Sequence, residues 1–337
     1  MKLTLLICFI ICTGSLFGQK REQYEFFLEK NYLGLHFDDD FLFIGNRDEQ
    51  YTGGLEIEFI HASKKKKQQR HIINPFSYGQ RYWTHTFGSY LFTPYNVSDS
   101  LIILNDRPYS SLIYTTVGYT AYDEKRQKKL TTELYLGIMG SELPGKIQDK
   151  IHTIGESPPA SGWDNRISKD EIFTPNLKIN YQSNFLTIGR IDALIIDWIQ
   201  LGTIYELNAG FFANNFSAGI RLSTYNQNPL SESRYNYKLS KNSERSRKRK
   251  LHTTFYLYPR FEAVIQNASL QGLQWIDSPY KIPTDEMNRF VWDIEAGMNL
   301  TYGRFHLSYL VRTRSKEFFK YREDWHSWAG ISLGFSF

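Results

Sequence analysis

The last ten residues, W-A-G-I-S-L-G-F-S-F, constrain this chain more than any other stretch. Successive side chains of an extended strand point to opposite faces. Ala329, Ile331, Leu333, Phe335 and Phe337 therefore share one face, and Gly330, Ser332, Gly334 and Ser336 share the other. One side is apolar up to a terminal aromatic and the other is small and polar. That is the pattern of a closing strand in a membrane barrel, with a lipid-facing and a lumen-facing side. The terminal Phe337 also resembles the signal read by the barrel-assembly machinery.

The same alternation recurs upstream. Leu55, Ile57 and Phe59 alternate with Glu56 and Glu58, and Leu134, Leu136 and Ile138 alternate with Glu133, Tyr135 and Gly137. A soluble sandwich has little room for acids on its inner face, whereas a polar lumen behind a lipid-facing wall accommodates them. No apolar run beyond the first 18 residues approaches the roughly 20 residues of a transmembrane helix. The longest candidate, residues 191–201, is interrupted by Asp192 and Asp197. A bilayer admits only helices or closed barrels. The expected fold is therefore all-β, a single transmembrane antiparallel barrel of about twelve strands. These lie near residues 32–37, 52–62, 78–90, 109–121, 130–139, 173–182, 198–207, 214–224, 251–265, 290–301, 304–313 and 325–337.

Residues 1–18 carry a basic Lys2, an apolar core from Leu3 to Cys12 and a small-residue exit. They read as a secretory signal peptide ahead of one barrel domain, residues 19–337. Cys8 and Cys12 both lie in that leader, so no disulfide is expected in the domain. The net charge of +5 is small and is concentrated in the runs Lys64 to Lys67 and Arg245 to Lys250. It does not suggest nucleic acid as a partner.

With both termini in the periplasm, alternate connections reach the outer rim. These are residues 38–51, 91–108, 140–172, 266–289 and 314–324, while the two basic runs fall in periplasmic turns. The rim segments hold the groups that chemistry would need: Asp38, Asp39 and Asp40, then Tyr51-Thr52-Gly53-Gly54, then N-D-R-P-Y at residues 105–109, and then His152 with Glu156. Residues from Pro144 and Gly145 onward read as a helix of two to three turns. Ile147, Ile151 and Ile154 lie on one face, Gln148 and His152 share the neighbouring face, and Gly155 is placed to end it. Three adjacent carboxylates repel one another unless a cation or an arginine neutralises them, and oxygen ligands favour a hard ion such as calcium over zinc. His152 and the acids are the candidate bases. No G-x-S-x-G or helical H-E-x-x-H motif points to a serine hydrolase or a zincin. The plainer readings are a surface or capping histidine and a solvated acidic loop mouth.

Taken in order, Asp39-Asp40, Tyr51-Thr52-x-Gly54, Asn105 to Tyr109, and Gly145-x-x-Gln148-x-x-x-His152 with Gly155 and Gly162-Trp163 resemble the LpxR-type lipid A 3'-O-deacylases of Gram-negative outer membranes. The resemblance spans nearly the whole chain after the leader. It implies a calcium-dependent esterase in a twelve-stranded outer-membrane barrel, acting on lipid A or lipopolysaccharide in the outer leaflet and embedded among outer-membrane lipids. By the same resemblance His152 would be the general base, Asp40 would hold calcium, Thr52 would stand beside that site, and Arg107 would meet a lipid A phosphate. Three places depart from the family's pattern, the mildest being its usual small pair after N-D-R-P-Y, which is Ser110-Ser111 here. Its asparagine before the aspartate is Asp39 here, and its acid after the histidine matches Glu156 only at a shifted spacing. Two alternatives stand beside this reading: a non-enzymatic porin or surface-binding barrel, and a calcium-dependent phospholipase.

Overall fold

A computed structural model describes residues 31–40, 42–43, 50–63, 75–76, 80–123, 126–154, 158–189, 196–226 and 251–337. The leader, both basic runs and Glu156 lie outside the described residues. Twelve strands form one closed antiparallel barrel: β1 (Tyr32–Asp39), β2 (Gln50–Ala62), β3 (Gln80–Thr93), β4 (Ser110–Asp123), β5 (Lys128–Met139), β6 (Ile172–Gly189), β7 (Trp198–Gly210), β8 (Ala213–Tyr225), β9 (Leu251–Asn267), β10 (Phe290–Tyr302), β11 (Phe305–Ser315) and β12 (Trp325–Ser336). Each strand pairs with its sequence neighbours. The barrel closes where β1 meets β12, from Tyr32 opposite Ser336 to Asp39 opposite Ala329. Helix α1 (Leu143–Ile154) follows β5, and a one-turn helix, α2 (Ala268–Gln271), follows β9.

Strand parity sorts the side chains as the alternation predicts. On β1, Tyr32 and His36 are buried whereas Leu33 and Leu35 are exposed. On β5, Glu133 is buried whereas Leu134, Leu136 and Ile138 are exposed. A slip of one residue would turn every one of these to the wrong face, so the two-sided pattern fixes the register. The one irregularity near the rim of β2 is a bulge at Thr52: Tyr51 pairs with Phe92 and Gly53 with Leu91, which leaves Thr52 as the extra residue.

The lumen is filled in two layers. Tyr51 packs on Trp328 at 4.9 Å and on Phe92 at 5.5 Å, and Tyr90 packs on Tyr114 at 4.7 Å. Beneath them the hydroxyls of Tyr90 and Tyr114 both donate to Glu56 Oε1, at 3.2 and 2.7 Å. The second layer is ionic and belongs to β9, β10 and β11. Asp293 accepts from Arg260 Nε at 2.7 Å, from Arg314 Nη1 at 3.2 Å and from Arg312 Nη2 at 3.4 Å. Arg314 also reaches Glu262 at 3.0 Å, and Arg312 lies 3.5 Å from Glu295.

Asp293 is buried with three guanidiniums converging on it, so removing its charge strands cations in a low-dielectric interior. Breaking such a network by deleting one partner costs about 3–5 kcal/mol. Asp293→Ala is therefore expected to lower the unfolding free energy of the refolded barrel, measured by urea titration, by that much, whereas Asp324→Ala, at an exposed rim pair with Lys316, should leave it within about 0.5 kcal/mol of the wild type.

Candidate active site at the outer rim

Alternation divides the three consecutive acids. Asp38 shares the luminal parity of His36, and its carboxylate accepts from Tyr51 Oη at 2.7 Å and from His36 Nε2 at 2.9 Å. It is engaged in tying β1 to β2. Asp39 shares the outward parity of Leu33 and Leu35 and stands opposite Gly53. A Cβ on Gly53 would lie 3.1 Å from Asp39 Oδ2 and 2.9 Å from the Asp38 carbonyl, so the glycine makes room for this carboxylate. Asp40 follows at the strand end and is buried, 5% exposed. Thr52, the bulged residue, is buried beside Gly53, and its hydroxyl hydrogen-bonds the hydroxyl of Thr93 at the end of β3. The structure thus brings Asp39, Asp40 and Thr52 to one corner of the rim.

The next strands along the wall carry the histidine. Helix α1 packs over β3 and β4, so the strand that touches Thr52 also supports the helix. The helix turns Pro144, Gly145 and Gln148 inward. Gly145 is required there because a Cβ would sit 2.6 Å from the Trp163 indole. That indole donates from Nε1 to Gln148 Oε1 at 2.9 Å and packs on Tyr109 at 5.1 Å. One turn beyond Gln148, His152 Nδ1 lies 2.6 Å from the Pro158 carbonyl. A carbonyl oxygen only accepts, so Nδ1 carries the proton and the basic lone pair of the neutral ring is on Nε2. The Pro158 carbonyl therefore sets the tautomer of His152.

The loop that returns from α1 is stitched to the loop between β3 and β4. Ser161 N–H donates to the Val97 carbonyl at 2.8 Å, Ile167 N–H to the Tyr109 carbonyl at 2.9 Å, and Asn165 Nδ2 to the Ser100 carbonyl at 2.8 Å. The N-D-R-P-Y segment is part of the same bracing. Asn105 takes a left-handed φ of 61°, and Asp106 accepts backbone N–H groups from Tyr95 at 3.0 Å and Arg107 at 2.7 Å. Burial pushes the Asp106 carboxyl above its ordinary range, against those donors.

Arg107 differs from the expectation of a lipid phosphate contact. Its side chain is fully buried, with Nη1 on Glu317 at 2.6 Å and on Gln50 at 3.0 Å, Nη2 on Ser269 Oγ at 2.8 Å, and its guanidinium 4.4 Å above the Phe92 ring. The residue pins four rim segments from inside instead of presenting donors to the membrane. Burial alone would raise the Glu317 carboxyl, but Arg107 and Arg314 more than offset it and hold it below the ordinary carboxylate range.

Among the described residues no three acidic, histidine or cysteine side chains converge as a ready metal cluster. The corner still suits a hard cation chemically. It offers the buried Asp40 carboxylate, with Asp39 and Thr52 beside it as further oxygen donors, and oxygen donors of mixed charge are what calcium takes. The luminal network of Arg260, Glu262, Asp293, Arg312, Arg314 and Glu317 was not among the expected functional groups. Its signal was present as charges two apart, R-F-E, D-I-E and R-T-R, on three successive strands.

Residues 3–337 match the family described as "Outer membrane protein LpxR". No curated protein matches the chain. Among solved structures, LpxR from Salmonella typhimurium is similar at a TM-score of 0.69 and 15% identity, with 91% of this chain and 100% of that one covered. The β domain of the Bordetella autotransporter BrkA matches at a TM-score of 0.42 and 7% identity, covering 91% of this chain and 98% of that one. The NalP translocator domain from Neisseria meningitidis matches at 0.37 and 8%, covering 100% and 94%.

Because the folded-state carboxyl of Glu317 is depressed, its contribution to stability is fully present above the ordinary carboxylate range and is lost as pH falls through the lowered value. The wild-type urea midpoint is expected to fall at the acid end of a pH series, and Glu317→Gln should be less stable at neutral pH with a flattened acid limb.

Proposed function

The chain belongs to the LpxR family of outer membrane proteins, and from that premise we propose that it is a calcium-dependent lipid A deacylase. It would remove the 3'-linked acyloxyacyl chain of lipid A, or of lipopolysaccharide, at the outer leaflet. The observation that carries the reading is the geometry of His152. The Pro158 carbonyl holds its Nδ1 proton, so Nε2 is the base, on a helix that shares β3 with the oxygen-rich corner of Asp39, Asp40 and Thr52.

In this mechanism His152 Nε2 takes a proton from a water molecule, and the water oxygen attacks the ester carbonyl carbon. The carbon–oxygen bond to the sugar then breaks, and the imidazolium returns its proton to the departing 3' oxygen. The products are the acyloxyacyl acid and a 3'-hydroxyl. Gln148, held by Trp163, keeps the helix face that carries His152 in place against the wall. Asp40, with Asp39 and Thr52 beside it, would hold the calcium ion. When bound, that ion would act as a Lewis acid and stabilise the developing oxyanion. Asp39 stands where the family has asparagine, so at this position the chain presents a second carboxylate in place of a neutral amide. Glu156 is proposed only as an acid near the base, and it lies outside the described residues.

The porin reading is disfavoured by the aromatic and ionic layers that fill the lumen. The phospholipase reading shares all the chemistry above and is separated by substrate alone.

Mass spectrometry of hexa-acylated lipid A incubated with the refolded protein tests the proposal directly. Loss of the 3' acyloxyacyl group with calcium, and none with EDTA, is expected. His152→Ala should reduce the rate by about 10²–10⁴-fold while the barrel stays folded and heat-modifiable. Deacylation retained in that variant refutes the role of His152, and deacylation in EDTA refutes the calcium.

A further inference from the structure

Helix α1 is mounted with its apolar face away from the protein. Leu143, Ile147, Ile151 and Ile154 are spaced along one stripe and are 53%, 44%, 49% and 84% exposed. The opposite side, with Pro144, Gly145 and Gln148, is the one that docks on the barrel. Four large aliphatic side chains on three turns of helix form a patch that is costly to leave in water.

The patch begins where the barrel's lipid-facing surface ends. Leu134, Leu136 and Ile138 are the exposed, outward residues of β5, and Phe173, opposite Ile138 on β6, is 57% exposed. Only a short turn separates Ile138 from Leu143, and Ser111 Oγ on β4 holds that turn by donating to the Ser141 carbonyl at 2.7 Å. The apolar belt of β5 and β6 therefore passes into the apolar stripe of α1 with little break. Lys146 and Lys150 are exposed beside the stripe, Lys146 with its amine on the exposed Glu142 carboxylate at 2.8 Å. An apolar face edged by lysines is the composition of a helix that lies in a membrane interface, because the long amines can reach the headgroups while the stems stay with the acyl chains. The rim loop stitched to the same hairpin adds Leu101 and Leu104, 73% and 70% exposed.

We propose that α1 is an interfacial helix seated among the acyl chains of the outer leaflet, with Leu143, Ile147, Ile151 and Ile154 as its lipid-contacting face. His152, next to Ile151 but on the docking side, is thereby held at the depth where the ester linkages of a membrane lipid begin. The seating stands on the surface alone. Its consequence for depth rests on the deacylase reading.

Two measurements test them separately. In a Cys8→Ser, Cys12→Ser background, nitroxide labels at Ile147→Cys and Ile151→Cys are placed in protein reconstituted into phosphatidylcholine vesicles. Labels at Leu136→Cys and Asp149→Cys serve as lipid-facing and water-facing references. Labels at 147 and 151 are expected to be accessible to molecular oxygen and shielded from an aqueous nickel chelate, as at 136 and opposite to 149. Accessibility to the chelate, or shielding from both reagents as in a protein contact, would overturn the seating. The Ile147→Ser, Ile151→Ser double variant is then expected to deacylate lipid A in bilayer vesicles about tenfold more slowly than the wild type, yet at the wild-type rate in detergent micelles. An equal loss in both would overturn the depth role. A wild type inactive on both substrates would reject the deacylase reading while leaving the label result standing.

Discussion

Hydrocarbon offers no partner for a peptide N–H or C=O, and the rest of this structure depends on meeting that constraint. The barrel meets it by pairing β1 with β12, so that no strand edge is left in the membrane. Closure also explains the side-chain pattern. Once each strand has a lipid side and a lumen side, residues of opposite character must alternate. Asp38 and Asp39, adjacent in sequence, are consequently sent to opposite sides of the same wall.

What fills the lumen then decides how rigid the rim can be. Arginines and carboxylates of β9, β10 and β11 would be costly as isolated charges, and they are stable because each cation meets an anion at hydrogen-bonding distance. Arg314 links this layer to Glu317, and Glu317 links it to Arg107 on the far side of the barrel. From there the chain of contacts passes to Gln50, which precedes the bulge at Thr52. A luminal ionic layer thus braces the rim corner that holds Thr52. Arg107, which looks in sequence like a surface cation, works from beneath.

The corner and helix α1 are both supported by β3. The helix is held by a small-residue contact at Gly145 and by the bond between Trp163 and Gln148, so its polar side is the one satisfied by the protein. Its isoleucines face the other way, and the hydrophobic effect that usually buries such a stripe in a core would here be met by acyl chains. In this arrangement substrate and base would meet at the barrel's outer surface, leaving the filled lumen with a structural role.

Much of this was legible in the residues. The two-residue period in β2, β5 and β12 marked strands and gave the faces, because parity follows from local geometry alone. The twelve strands and the helix near Pro144 fell where the alternation and the 3.6-residue spacing placed them. Within the site, the association of Asp39 with Thr52 followed from one hairpin, and the shared face of Gln148 and His152 from one helix. Three things were decided only by the tertiary structure. The direction of the isoleucine stripe depended on which helix face found a partner. The burial of Arg107 depended on Glu317, 210 residues away. The tautomer of His152 depended on where the chain brought the Pro158 carbonyl back. Sequence determines what repeats along one strand or one turn, whereas the partner of a charge or the lining of a helix face is set by segments that meet only when the barrel closes.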